Sequence, residues 1–270
     1  MVGVGRPADW YDPAMSERVA LVTGASRGIG KQFCVDLAKA GYDVVCAARS
    51  TEDHASKLAG TIDETAALMR AHGREAMVAP LDVRDESACA ALAERVFAEW
   101  GRCDLLVNNA AIAPPLPALQ DSTRRWKLAV DVNLNGPFYL TYYFAPRMPA
   151  GDARVVNISS GAAVTPEFGR PSYTATKLAL EGMTRGFAHE QKGVVAHNVI
   201  RLDLAVWSEG FADTLPADNA FPFEHPIIMS DALLWLARQP ISHTGQVHTI
   251  TELRKQGIVR PLTHYKYFAG

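Results

Sequence analysis

The stretch Val19-Ala-Leu-Val-Thr-Gly-Ala-Ser-Arg-Gly-Ile-Gly30 decides the fold. Val19–Thr23 is a short apolar, β-branched run that reads as a buried strand, and residues 29–40 continue as a helical pattern. The glycines between them sit where a strand must turn into a helix. In that setting Gly24 permits the tight turn, Gly28 lets the backbone approach a phosphate, and Gly30 lets the helix pack against the strand. The N-terminus of that helix then offers free N–H groups to a pyrophosphate. The spacing is G-x-x-x-G-x-G rather than G-x-G-x-x-G, so the strand–turn–helix context carries the reading. The competing reading is a glycine turn that binds nothing.

Outward from this stretch, short β-branched runs alternate with helical patterns. Strands are expected at 43–48, 75–81, 104–108, 154–159, 194–202 and 246–250, with helices at 52–72 and 86–100. Gly41, Gly73, Gly101 and Gly193 fall where left-handed helix C-caps are required. Strict β/α alternation implies a single-domain, Rossmann-type, doubly wound parallel sheet with helices on both faces. Residues 18–252 are assigned to this domain, 1–17 to an N-terminal extension and 253–270 to a tail.

Bulk properties narrow the function. The 270 residues carry a formal net charge of −2 without a basic stripe, which argues against nucleic acid or an anionic membrane as partner. Cys34, Cys46, Cys89 and Cys103 are scattered and read as reduced thiols in a cytoplasmic protein. The eight histidines show no metal-ligand spacing. The first 17 residues, with Trp10 and Tyr11, lack the apolar core of a signal peptide, and no later run is long enough to span a bilayer.

A candidate catalytic set lies in the second half. Tyr173 and Lys177 are four residues apart, on one helix face. A phenol titrates at about 10, and an adjacent ammonium pulls that value toward neutrality. Ser160, from a neighbouring strand end, could fix a carbonyl against the tyrosine. Pro137 cannot donate the helical bond to the Asn133 carbonyl, which is thereby freed for a water or a side chain, or marks a plain kink. At the end of the second strand, Ala48 stands where an NAD site needs a carboxylate, and Arg49 follows it. With Arg27 in the glycine loop, two guanidinium groups favour the 2′-phosphate of NADP(H) over NAD(H), unless the pair is incidental.

These residues together resemble the short-chain dehydrogenase/reductase family. Thr23–Gly30 resembles its glycine loop, Leu81-Asp82-Val83 its adenine-contacting segment, and Asn108-Asn109-Ala110-Ala111 its N-N-A-G strand end, with alanine for glycine. Asn133, Ser160, Tyr173 and Lys177 resemble its active-site set at the usual separations. The resemblance implies that Tyr173 exchanges the proton with the substrate oxygen and that Ser160 hydrogen-bonds that oxygen, with Ser159 as structural neighbour. It further implies that Lys177 holds the nicotinamide ribose and that Asn133 holds a water leading to solvent. Cofactor contacts are implied at Gly24, Ser26, Arg27, Gly28, Ile29 and Gly30, at Arg49, Asp82, Val83, Asn109 and Ala110, and at Tyr173, Lys177, Leu202 and Ser208.

The chain departs from the family after its sixth strand. Leu202-Asp203 replaces the usual Pro-Gly beside the nicotinamide, and Ser208 stands in for a threonine at a one-residue offset. Asp203 is read as a solvated or capping residue, the alternative being a substrate contact. Trp207, Phe211, Phe221 and Phe223, in a stretch broken by Pro216 and Pro222, form either an aromatic lid within a substrate loop at 203–226 or ordinary core packing. Val164, Pro166 and Phe168 make the pocket mainly apolar. His248-Thr-Ile-Thr-Glu replaces V-D-G-G near the end, and Tyr265, Tyr267 and Phe268 follow. The expected activity is NADP(H)-dependent interconversion of a ketone or aldehyde and an alcohol, by a homodimer or homotetramer. Enoyl reduction, dehydration, epimerisation and non-catalytic NADP(H) sensing are the alternatives.

Overall fold

The computed structural model describes residues 17–54, 56–113, 119–120, 122–166, 169–213 and 223–261. Seven strands form one sheet: β1 (Val19–Thr23), β2 (Asp43–Ala48), β3 (Ala76–Pro80), β4 (Leu105–Asn108), β5 (Ala153–Ser160), β6 (Val195–Leu202) and β7 (Val247–Thr249). Their order is β3-β2-β1-β4-β5-β6-β7 and every pairing is parallel. The connections are α1 (Gly28–Lys39), α2 (Ile62–Arg70), α3 (Glu86–Trp100), α4 (Thr123–Val130), α5 (Gly136–Phe144), α6 (Pro171–Glu190), α7 (Glu209–Ala212), α8 (Ile227–Ala237) and α9 (Ile250–Lys255). This is the doubly wound architecture expected from the alternating pattern.

Parallel strands bury both faces, so two cores form. One packs Phe33 and Leu37 of α1, Met69 of α2 and Ile228 and Leu233 of α8 against the sheet. The other packs Leu92 and Val96 of α3 with Leu140 and Phe144 of α5. The strand order reverses between β1 and β4. Ligands of such sheets bind beyond the strand C-termini at that reversal. There the glycine turn after β1 faces the Asn108-Asn109 end of β4. Gly41, Gly73, Gly101 and Gly193 all adopt positive φ, as their C-cap placement requires.

Two boundaries differ from expectation. The helix expected at 52–72 begins only at Ile62. Thr61 accepts a hydrogen bond from the Glu64 N–H, while the Glu64 carboxylate accepts from the Thr61 N–H, a reciprocal capping box that fixes the start. Residues 50–60 are therefore a loop, apart from Ala55, which lies outside the described residues. The C-terminal boundary at 252 is not a structural break either. Leu253 and Val259 are buried, and Arg254 and Arg260 pair with the buried carboxylates of Glu224 and Asp231. Trp10, Tyr11, Phe168, Pro216, Phe221, Pro222, Tyr265, Tyr267 and Phe268 lie outside the described residues. No helix among the described residues is long and apolar enough to cross a membrane.

Candidate active site

The glycine turn is built for close approach. A Cβ at Gly30 would collide with the Gly24 carbonyl oxygen and come within 2.7 Å of the Asn109 Nδ2. Asn109 in turn clamps β1: its Nδ2 donates to the Thr23 carbonyl at 2.8 Å, and the Asn109 and Ala110 N–H groups donate to Thr23 Oγ1, each at 3.0 Å. α1 has no side-chain cap; its N-cap residue, Arg27, leaves the first turn to another acceptor. An uncapped helix N-terminus behind a glycine turn suits an anionic pyrophosphate. Ser26 is buried and Ile29 half-buried in this turn. Ser208 and Glu209 lie over it, so that a Cβ at Gly28 would come within 2.8 Å of the Ser208 Cβ.

Beyond the turn, a cavity of about 700 Å³ is lined by Arg49, Thr51, His54, Asp63, Val78 and Asp82 among others. Arg49 and Asp82, both expected cofactor contacts, line it together. Asp82 is gripped by the Arg84 guanidinium at 2.5 to 3.0 Å, which holds its carboxyl below the usual carboxylate range. Val83 is buried against Gly136. Arg27 does not converge on this cavity with Arg49. Its Nε donates to the Ala59 carbonyl at 2.8 Å, and its Nη2 lies within 3.1 Å of Ser50 Oγ, Ser56 Oγ and the Leu58 and Gly60 carbonyls. The guanidinium laces the 50–60 loop to the glycine turn. A helix at 52–72 would not place His54 in this lining; the Thr61-x-x-Glu64 capping box is the sequence signal for the loop that does.

At the other end of the crevice, α6 carries Tyr173 in its first turn and Lys177 in its second. The Lys177 Nζ is 5.6 Å from the centre of the Tyr173 ring and donates to the Ile158 carbonyl at 2.7 Å. Lys177 is 3% exposed, and burial pulls its pKa down to about 8, with Glu181 opposing the fall. Tyr173 is half-buried. Ser160 closes β5, and its Oγ accepts from the Ala162 N–H at 3.3 Å. Asn133 lies in a widened, π-type turn, Asp131–Asn135, where the Gly136 N–H reaches the Asp131 carbonyl five residues back. Pro137, unable to continue an ordinary helical ladder, sits at the start of α5 beside this turn. The Asn133 side chain accepts from the Ile112 N–H and donates to the Ile112 carbonyl and to Thr176 Oγ1, at 2.8, 2.9 and 3.1 Å. It thereby ties the loop after β4 to the residue before Lys177.

The Leu202–Ser208 segment has its own supports. Asp203 Oδ1 accepts from the Thr251 N–H at the start of α9, so it is a capping aspartate. Val206 bridges to Glu224, and the Trp207 N–H donates to the Glu224 carbonyl at 2.9 Å, joining the two described parts of the 203–226 segment. Phe211 and Phe223 meet edge to face at 5.3 Å. Arg201, immediately before Leu202, reaches Glu181 on α6, a pairing that the linear spacing did not reveal.

Fold and site together define an oxidoreductase scaffold of the dinucleotide-binding, doubly wound class. The family profile described as short chain dehydrogenase matches residues 18–202, and the chain belongs to that family. It is 31% identical over 242 residues to hydroxysteroid dehydrogenase-like protein 2 of Danio rerio, covering 88% of this chain and 58% of that protein. The chain thus spans little more than half the length of that relative. A metagenomic short-chain oxidoreductase solved in complex with NADP is 30% identical, with a TM-score of 0.72, over 87% of this chain and 97% of the other. A short chain dehydrogenase from Mycobacterium thermoresistibile shares the fold at a TM-score of 0.81 and 24% identity, over 90% and 88% of the two chains.

Proposed function

We propose that the protein is an NADP(H)-dependent oxidoreductase that interconverts a ketone or aldehyde and an alcohol on a mainly apolar small molecule. The observation that carries this reading is the buried Lys177 ammonium, 5.6 Å from the Tyr173 ring centre on the next helical turn. Bound NADPH would supply hydride to the carbonyl carbon. Tyr173 gives its phenolic proton to the carbonyl oxygen, and Ser160 donates a hydrogen bond to the same oxygen. Lys177 stabilises the phenolate left behind and binds the nicotinamide ribose, and the phenolate regains its proton from solvent. In the oxidative direction the same phenolate accepts the alcohol proton. Positioned acid–base groups of this kind contribute about 10²- to 10⁴-fold in rate.

The glycine turn, the uncapped α1 N-terminus and Arg49 support the cofactor assignment, as does the NADP complex of the related metagenomic enzyme. Half-buried Trp207, Phe211 and Phe223 support an apolar substrate. The name of the Danio rerio relative makes hydroxysteroids and ketosteroids the first members of a substrate panel. The test is NADPH oxidation across ketosteroids, small ketones, aldehydes and enones. Wild type is expected to reduce carbonyls, and Tyr173→Phe to lose at least 10²-fold in kcat while binding NADPH as before. Reduction of enones alone would move the assignment to enoyl reduction, and retained activity in Tyr173→Phe would overturn the role of the tyrosine.

A further inference from the structure

Behind the candidate catalytic set lies a buried ionic cluster that the proposed mechanism does not use. Glu181 is 1% exposed and sits four residues after Lys177, on the same face of α6. Its carboxylate accepts three hydrogen bonds. Ser159 Oγ on β5 donates to Oε1 at 2.8 Å, Arg201 Nε on β6 donates to Oε1 at 2.8 Å, and Arg201 Nη2 donates to Oε2 at 2.6 Å. The Arg201 guanidinium fork meets both oxygens of this buried carboxylate. The pair joins three elements at their functional ends. Ser159 precedes Ser160, Arg201 precedes Leu202, and Ser159 and Arg201 are register partners across β5 and β6.

We propose that Glu181 is a positioning residue for the oxidoreductase site, acting through Lys177 and Ser159, with Arg201 holding its carboxylate in place. The inference rests on the catalytic reading of Tyr173 and Lys177. Its physical basis is that burial favours a neutral lysine, whereas the mechanism needs a cation. The elements packed against α6 carry other ionisable groups: Arg154 on β5, His197 and Arg201 on β6, Asp131 in the π-type turn, and Arg124, Arg125 and Lys127 on α4. Among the described residues, Glu181 alone shifts Lys177 through its charge. Its anion raises the lysine against the desolvation that lowers it to about 8. The lysine is therefore cationic below that pH, and turnover is lost as pH rises through it.

The experiment combines direct titration of Lys177, by ¹³Cε-lysine NMR assigned through Lys177→Arg, with pH profiles of kcat/KM. In Glu181→Gln the Lys177 midpoint and the alkaline limb are both expected to fall, by about one pH unit. Because this variant leaves the half-buried Arg201 without its carboxylate partner, the double variant Glu181→Gln with Arg201→Met is the arbiter if the single one does not fold. The double variant retains no orphan charge and is expected to show a smaller fall in the same direction, because the Arg201 cation is removed with the anion. Ser159→Ala removes one hydrogen bond but no charge, and is expected to lower the melting temperature without moving the Lys177 midpoint. An unchanged midpoint in the folded double variant overturns the proposal. Absence of carbonyl turnover in wild type would instead overturn the catalytic reading, while the NMR titration still decides whether Glu181 governs Lys177.

Discussion

Two arginines with the same expected role have different surroundings. Arg49 is exposed and lines the cavity beyond the glycine turn, whereas the Arg27 guanidinium is held by the 50–60 loop. Substituting each should therefore produce different signatures. Arg49→Ala is expected to weaken NADPH binding at least tenfold while leaving NADH nearly unchanged, the loss of one charged hydrogen-bonding partner. Arg27→Ala is expected to lower the melting temperature and weaken both cofactors together, because it releases the loop. Titration calorimetry with the two nucleotides checks both; tighter binding of NADH than NADPH by wild type would remove the 2′-phosphate argument altogether. The approach of Lys177 to the Tyr173 ring is legible in sequence because one helical repeat sets it. The direction of the Arg27 side chain is not, since it depends on carbonyls about thirty residues away whose placement only the folded loop fixes.

That loop shows what an element boundary decides. Periodicity alone extended α2 backward to residue 52, because Glu52, Lys57 and Leu58 are all tolerated in helices. Gly60 and Thr61 stop it. Gly60 has φ +100°, and a Cβ there would collide with the Ser26 carbonyl oxygen and come within 3.2 Å of the Arg27 Cβ. Gly60→Ala is thus expected to lift the loop off the glycine turn, lowering thermal stability and weakening NADPH binding. Thr61→Ala, which removes only the cap, should cost about 1 kcal/mol in stability with little change in affinity. Thermal melts and NADPH titration of the two variants separate the effects, and equal affinity in Gly60→Ala and wild type would show that the loop does not support the cofactor site. By contrast α3 ran from Glu86 to Trp100 as expected, since Asp85 caps one end and Gly101 turns left-handed at the other.

At the scale of the molecule, strand–helix alternation sufficed to predict the parallel sheet, because each crossover has only one favoured hand. Which apolar side chains the finished fold would leave outside was not legible, since a stripe on a helix does not say what covers it. Trp126 on α4, Phe138 and Tyr142 on α5 and Leu178 on α6 are 46%, 41%, 58% and 50% exposed. Phe138 stacks with Tyr142 at 6.0 Å and with Phe187 of α6 at 6.2 Å, so one aromatic surface runs across the two helices. Contiguous apolar surface of this kind marks an interaction site, and a two-fold dimer uses one patch on both subunits. The α5–α6 face is the surface through which the expected homodimer or homotetramer would pair. Because α6 also carries Tyr173 and Lys177, such pairing would hold the catalytic helix from the side opposite the sheet. The double variant Phe138→Glu with Tyr142→Glu places like charges at the centre of that face and is expected to be monomeric by light scattering. It should also melt lower than wild type and lose turnover through kcat rather than through NADPH affinity, because α1, which the glycine turn opens, packs in a different core from α5. A wild-type mass equal to one chain would remove the interface, and a dimeric double variant would place it on another surface.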